Sequence, residues 1–158
     1  MLKIKAKTLR EFGRMIGQGS TREIYVLDGK TYKVETKHYG DVAECNKNEW
    51  DIYNKNKRSK FLSKVIDHNE DFTVIEVERL DCEVIDKHSW GYESCFNDIP
   101  TIFDLVKGNE DLKGKLHVTP RGLKSFCTKY GLSYEECACS FQFGLAKDGS
   151  IKLSDYAM

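Results

Sequence analysis

The first residues able to do chemistry stand in Ile16-Gly17-Gln18-Gly19-Ser20-Thr21-Arg22. Glycines in a turn between strands let backbone amides approach a phosphate, because no Cβ stands in the way. Gly17 and Gly19 are therefore candidates, with Arg22 where a phosphate loop would carry its third glycine. No helix follows directly, so a dinucleotide fold fits poorly, and an ordinary turn is the plain alternative. Lys33 is the second candidate. It takes an inner position on a strand-like stretch, where a buried ammonium needs a carboxylate or a phosphate. Glu49, in a helical segment downstream, can supply the carboxylate. An exposed strand lysine is the alternative. Six cysteines (Cys45, Cys82, Cys95, Cys127, Cys137 and Cys139) include no Cys-x-x-Cys pair. Cys137 and Cys139 lie close together, yet no second close pair or His pair offers the remaining zinc ligands. Reduced thiols packed as small apolar groups are expected. The basic run Lys55, Lys57, Arg58, Lys60 and Lys64 has Tyr53 and Phe61 nearby. Cations beside rings can bind single-stranded nucleic acid, whereas a solvated helix end needs no ligand.

These side chains need elements to hold them. From Phe12 to Glu35 the pattern reads as three short strands, with Asp28-Gly29 as a tight hairpin turn. Asp41 and Glu44 form a capping box for a helix expected over Asp41 to Asn56. Val65 to His68 and Phe72 to Val77 read as two further strands, completing a lobe of five strands and one helix. Beyond Leu80 the segment Cys82 to Asp98 reads as irregular, Ile99 to Val106 as a short helix and Asn109 to Val118 as a polar connection. Thr119-Pro120 opens a helix that keeps its spacing through Leu123, Phe126, Cys127 and Tyr130 until Gly131. The chain closes on a hairpin, Phe141 to Ala146 and Ile151 to Ser154, which leaves Asp155 just past the last strand. The expected class is α+β, in two parts, 1–80 and 81–158.

The 158 residues are 40% hydrophobic and 32% charged, enough for one sizeable core and against disorder. Lys plus Arg number 25 and Asp plus Glu number 25, so no global field draws the chain to nucleic acid or an anionic membrane. Its apolar runs fall far below the roughly 18 residues of a membrane span. Met1 to Lys7 lacks the apolar stretch of a secretory signal, so a soluble, cytoplasmic protein is expected.

The order of these features resembles the protein-kinase family. Glycine turn, strand lysine in Thr31-Tyr32-Lys33-Val34, helix glutamate in Asn46-Lys47-Asn48-Glu49-Trp50, then Val74 to Leu80, are similar to a kinase amino-terminal lobe. Phe143 to Ala157 is similar to the hairpin that leads into the family's metal-binding Asp-Phe-Gly. The resemblance implies ATP and Mg²⁺ as cofactors. Gly17 and Gly19 would cover the nucleotide, Lys33 would hold its phosphates, Glu49 would orient Lys33, and Asp155 would hold the metal. Val77 would back the adenine pocket, with hydrogen bonds from the backbone between Glu78 and Leu80. The departures point away from catalysis. Counting back from Phe143-Gly144 puts Cys137 at the family's catalytic Asp and Gln142 at its metal-binding Asn. Neither group accepts a substrate proton as a carboxylate does. The chain ends three residues after Asp155, without an activation segment or substrate platform.

The reading is a minimal pseudokinase, of the compact type found in phage and bacterial genomes, that acts by binding another protein. Apolar surface near the second long helix and the final hairpin is expected to be covered by a partner or a second copy. The enzyme alternative is an atypical kinase or nucleotidyl transferase using Lys33, Glu49, Asp155 and Glu135 or Glu136. A further alternative is an α+β interaction domain that binds no nucleotide.

Overall fold

A computed structural model of the chain describes residues 1–36, 44–89 and 99–156. It is α+β, with a five-stranded antiparallel sheet, a two-stranded hairpin and six α-helices among the described residues. The residues cluster into two compact units, Met1–Lys57 with Lys64–Arg79, and Arg58–Ser63 with Leu80–Tyr156.

The first unit is built on β1 (Arg14–Gln18), β2 (Arg22–Leu27), β3 (Lys30–Glu35), β4 (Val65–His68) and β5 (Val74–Val77), in the order β1-β2-β3-β5-β4. Asp28 and Gly29 both have positive φ, 51° and 75°, which is the twist a two-residue hairpin between β2 and β3 requires. Because side chains alternate across a strand, Tyr32 and Val34 face one side of β3 while Lys33 and Glu35 face the other. On the Tyr32 side, Leu9, Tyr25, Val34 and Val74 form a core against Leu2, Ile4, Ala6 and Leu27. On the Lys33 side lies α2 (Glu44–Lys55), which buries Asn46, Glu49 and Ile52. The expected start of this helix at Asp41 lies outside the described residues.

A second helix, α1 (Ala6–Phe12), corrects the expected lobe of five strands and one helix. It has no side-chain cap, only Leu9 is fully buried, and Met1 to Lys7 alternates apolar and basic residues, so nothing local announces a helix. Packing of Leu9 on the sheet creates it.

The second unit holds α3 (Glu83–Ser89), α4 (Ile102–Gly108), α5 (Pro120–Tyr130), α6 (Tyr134–Ala138) and the hairpin β6 (Phe143–Leu145) and β7 (Ile151–Leu153). α3 overturns the irregular reading of Cys82 onward, its side chain of Ile85 wholly buried. α5 follows its sequence signals. The Thr119 hydroxyl accepts from the Gly122 N–H at 3.0 Å, and Gly131 at φ 66° closes the helix while the Leu132 N–H reaches the Cys127 carbonyl at 2.8 Å. Phe143, Ile151 and Leu153 are wholly buried, while Phe141, just before β6, is 48% exposed. Among the described residues no helix is long and apolar enough to cross a membrane.

Candidate functional site

In the first unit the strand register decides what meets α2. Arg22 stands opposite Glu35 and Ile24 opposite Lys33 across the β2–β3 ladder, so Arg22, Lys33 and Glu35 share the face under α2. Glu49 is 0% exposed, and its two carboxylate oxygens take different cations. Lys33 Nζ donates to Oε1 at 2.6 Å, and Arg22 Nη1 donates to Oε2. The Lys33–Glu49 pair expected from the residues is thus formed and buried, with a second cation beside it.

The remaining polar groups tie the helix to the sheet. Glu35 accepts from the backbone N–H groups of Cys45 at 3.2 Å and Asn46 at 2.9 Å, which occupies amide donors of the first turn of α2. Asn46, wholly buried, donates to the carbonyls of Phe72 at 2.8 Å and Thr73 at 3.2 Å. Arg22 and Asn46 were not distinguishable as site residues from composition. The cross-strand register that puts Arg22 opposite Glu35 exists only once β2 and β3 pair.

The glycine turn is less demanding than its residues suggest. The Gly19 N–H closes the turn on the Arg22 carbonyl at 2.8 Å, and the β1–β2 register shifts between Met15 and Gly17. Neither Gly17 nor Gly19 has positive φ. A Cβ on Gly19 would meet only the Arg22 oxygen, at 3.8 Å. Backbone strain does not call for glycine here; what glycine adds is an uncovered backbone at the tip.

Farther along the unit, Val77 is buried at the end of β5. The Glu78 N–H donates to the Lys64 carbonyl at 3.0 Å, and its carboxylate accepts from the Lys64 N–H at 2.8 Å.

In the second unit the chain around Leu80 is fixed by β6. Asp81 and Leu145 exchange both backbone hydrogen bonds, at 2.8 and 2.9 Å. Gly144 permits this approach, since a Cβ there would lie 2.7 Å from Leu80 Cβ.

Asp155 follows β7 between two anchored neighbours. Ser154 donates through both its N–H, at 2.7 Å, and its hydroxyl, at 2.8 Å, to the Gln142 carbonyl. Tyr156 is wholly buried, and its hydroxyl donates to the Ser63 carbonyl at 2.6 Å. Gln142 therefore positions the segment through its backbone.

Cys137 is also wholly buried. Burial pushes its thiol up, and the neighbouring Cys127 and the charges of Asp155 and Glu136 push it further. Burial likewise raises Cys127, whose thiol is hydrogen-bonded with that of Cys137. Cys137 is thus a protonated core thiol, while Glu135 and Glu136, in the first turn of α6, are exposed. Among the described residues no three His, Cys, Asp or Glu side chains converge as a metal cluster. Comparison with protein-family models and with curated proteins finds no match for the chain.

Proposed function

We propose that the chain is a reduced protein-kinase-like protein that binds a nucleotide through its sheet unit, transfers no phosphoryl group, and acts in the cytoplasm by binding another protein. The observation that carries this reading is the Lys33–Glu49 pair, buried at 2.6 Å between β3 and α2. Burying such a pair seldom stabilises a fold relative to apolar packing, so its presence favours a role in holding anionic phosphates. Cys137 and Gln142 support the absence of transfer chemistry. A buried, protonated thiol accepts no proton from a substrate hydroxyl, and Gln142 supplies no carboxylate. Mg²⁺ takes one or two carboxylates and completes its shell with water and phosphate oxygens, so Asp155 as a single carboxylate is a fitting ligand for it.

The test is a thermal-shift titration with ATP, with and without Mg²⁺, beside Lys33→Met. A ligand at about 100 times its Kd adds about 2.7 kcal/mol to the folded state. For a chain of this size that raises Tm by roughly 5–10 °C. The wild type is expected to shift and Lys33→Met to lose most of the shift. Lys33→Met keeps its fold because Glu49 retains Arg22. Absence of any wild-type shift at high ATP overturns nucleotide binding and leaves an α+β interaction domain.

A second reading, an atypical transferase, draws on the exposure of Glu135 and Glu136. It requires phosphate or AMP adducts on the protein after incubation with Mg·ATP, read by mass spectrometry and abolished by Asp155→Ala.

A further inference from the structure

The helix α5 separates its residues cleanly. Leu123, Phe126 and Cys127 are buried, whereas Arg121, Lys124, Ser125, Thr128 and Lys129 are exposed. Arg121, Lys124, Ser125 and Thr128 follow one another at helical spacing and so form one stripe, with Lys129 on its flank. Arg121 to Lys129 spans about 12 Å along the axis. No acidic residue occurs anywhere in Pro120–Tyr130.

Lys129, in the last turn, complements the helix dipole, but the rest of this charge does not serve the helix itself. The first turn of a helix favours acidic side chains, and Arg121 stands there instead. Among exposed helical cations elsewhere, Lys47 has Asp51 one turn away, while Lys7, Lys55, Lys87 and Lys107 make no ion pair among the described residues, so what sets α5 apart is the gathering of three cations on one helix. Arg121, Lys124 and Lys129 make no ion pair among the described residues. The Lys129 ammonium rests 5.4 Å from the centre of the Tyr130 ring, which steadies it at the edge of the stripe.

We propose that the outward face of α5 docks an acidic segment of a partner protein, its carboxylates lying along Arg121, Lys124 and Lys129 with Ser125 and Thr128 as hydroxyl donors between them. The proposal deepens, and rests on, the protein-binding reading given above. Charge complementarity selects the occupant. A membrane would require apolar side chains on this face, and it carries none. Sequence-tolerant binding of single-stranded nucleic acid uses successive stacking rings beside the cations, whereas of the two rings of α5 Phe126 is turned into the core and Tyr130 is half-buried under Lys129. The chain is also neutral overall, so no wider field assists a polyanion.

The experiment uses the full chain and a fluorescein-labelled oligoglutamate peptide, read by fluorescence anisotropy at low and physiological salt. The wild type is expected to bind, more weakly as salt rises. The triple variant R121Q/K124Q/K129Q is expected to lose about tenfold or more in affinity. The variant K3Q/K5Q/K7Q removes the same charge from exposed lysines of the first unit and is expected to stay within about twofold of wild type. Equal losses in the two variants, or no binding by the wild type, overturn the proposal. So does tighter binding of a single-stranded oligonucleotide that the α5 variant abolishes, which would make the stripe a nucleic-acid surface. The ATP-dependent thermal shift of R121Q/K124Q/K129Q is measured in parallel: its retention separates failure at α5 from failure of the nucleotide site.

Discussion

Glu49 answers to two cations from two strands, and the consequences of losing each partner differ. Glu49→Gln leaves Lys33 and Arg22 buried over a neutral amide. Stranding buried charge in this way costs about 3–5 kcal/mol. Lys33→Met leaves Glu49 with Arg22 and replaces the lysine stem by an apolar chain of similar reach, so its cost is expected to be smaller. Urea unfolding of both variants checks the order, and an equal loss for Lys33→Met would show that Arg22 does not sustain Glu49. The thiols give a second expectation. An unfolded cysteine ionises near about 8.5, and burial raises Cys127 and Cys137 above their ordinary value. Above about pH 8.5 the unfolded chain releases these protons while the folded chain keeps them, so the native state binds more protons and stability falls as pH rises. Each thiol contributes a slope of up to about 1.4 kcal/mol per pH unit. Tyr25 and Tyr32, raised chiefly by burial, extend the decline above about pH 10. Unfolding midpoints between pH 7 and about 10 should decline less steeply for Cys137→Ala than for wild type. A flat wild-type profile would contradict the burial of both thiols. At this scale the sequence made Lys33 and Glu49 legible, since a lysine inside a strand pattern needs a partner. Arg22 was visible only as a missing glycine, because its role depends on cross-strand register.

Elements differ in how loudly their residues announce them. α5 carries a cap, a first-turn proline, apolar spacing and a closing glycine, and it runs from Pro120 to Tyr130 as those signals imply. β1 to β3 are legible for a related reason: Asp28-Gly29 is the residue pair that tolerates two successive positive φ angles. α1 and α3 have no comparable grammar. Each spans 7 residues, too short for a helix to persist without tertiary packing, and each is held through a buried aliphatic side chain, Leu9 or Ile85. The caps make the contrast testable. Thr119→Ala removes the acceptor of the Gly122 N–H and is expected to cost about 1 kcal/mol. Gly131→Ala forces a side chain into the left-handed region and is expected to cost a similar amount, about 1 kcal/mol. Gly19→Ala is the counterpart, with ordinary φ and open space, and is expected to stay within about 0.5 kcal/mol of wild type. Chemical denaturation of the three variants would refute this account if Gly19→Ala proved as damaging as Gly131→Ala.

For the molecule as a whole, the balance of 25 basic and 25 acidic residues has two consequences that pull in opposite directions. A chain without net charge has no long-range field to steer a partner, so association must depend on local arrays such as the α5 stripe and should weaken within a Debye length of added salt. The same neutrality removes the repulsion that keeps copies of a protein apart, and the isoelectric point near 6.9 puts that minimum at physiological pH. Solubility is therefore expected to be lowest near pH 7 and to rise on both sides, as the chain gains net positive charge below its isoelectric point and net negative charge above it. Precipitation by polyethylene glycol across this range measures the effect, and R121Q/K124Q/K129Q supplies the sign test. Removing three positive charges makes the chain acidic at neutral pH, so its minimum should move below that of the wild type. If attraction between the stripe and acidic residues of other copies drives precipitation, the variant should also be more soluble at its own minimum. An unchanged minimum solubility, merely displaced in pH, would assign precipitation to loss of net charge and leave the stripe for a different protein.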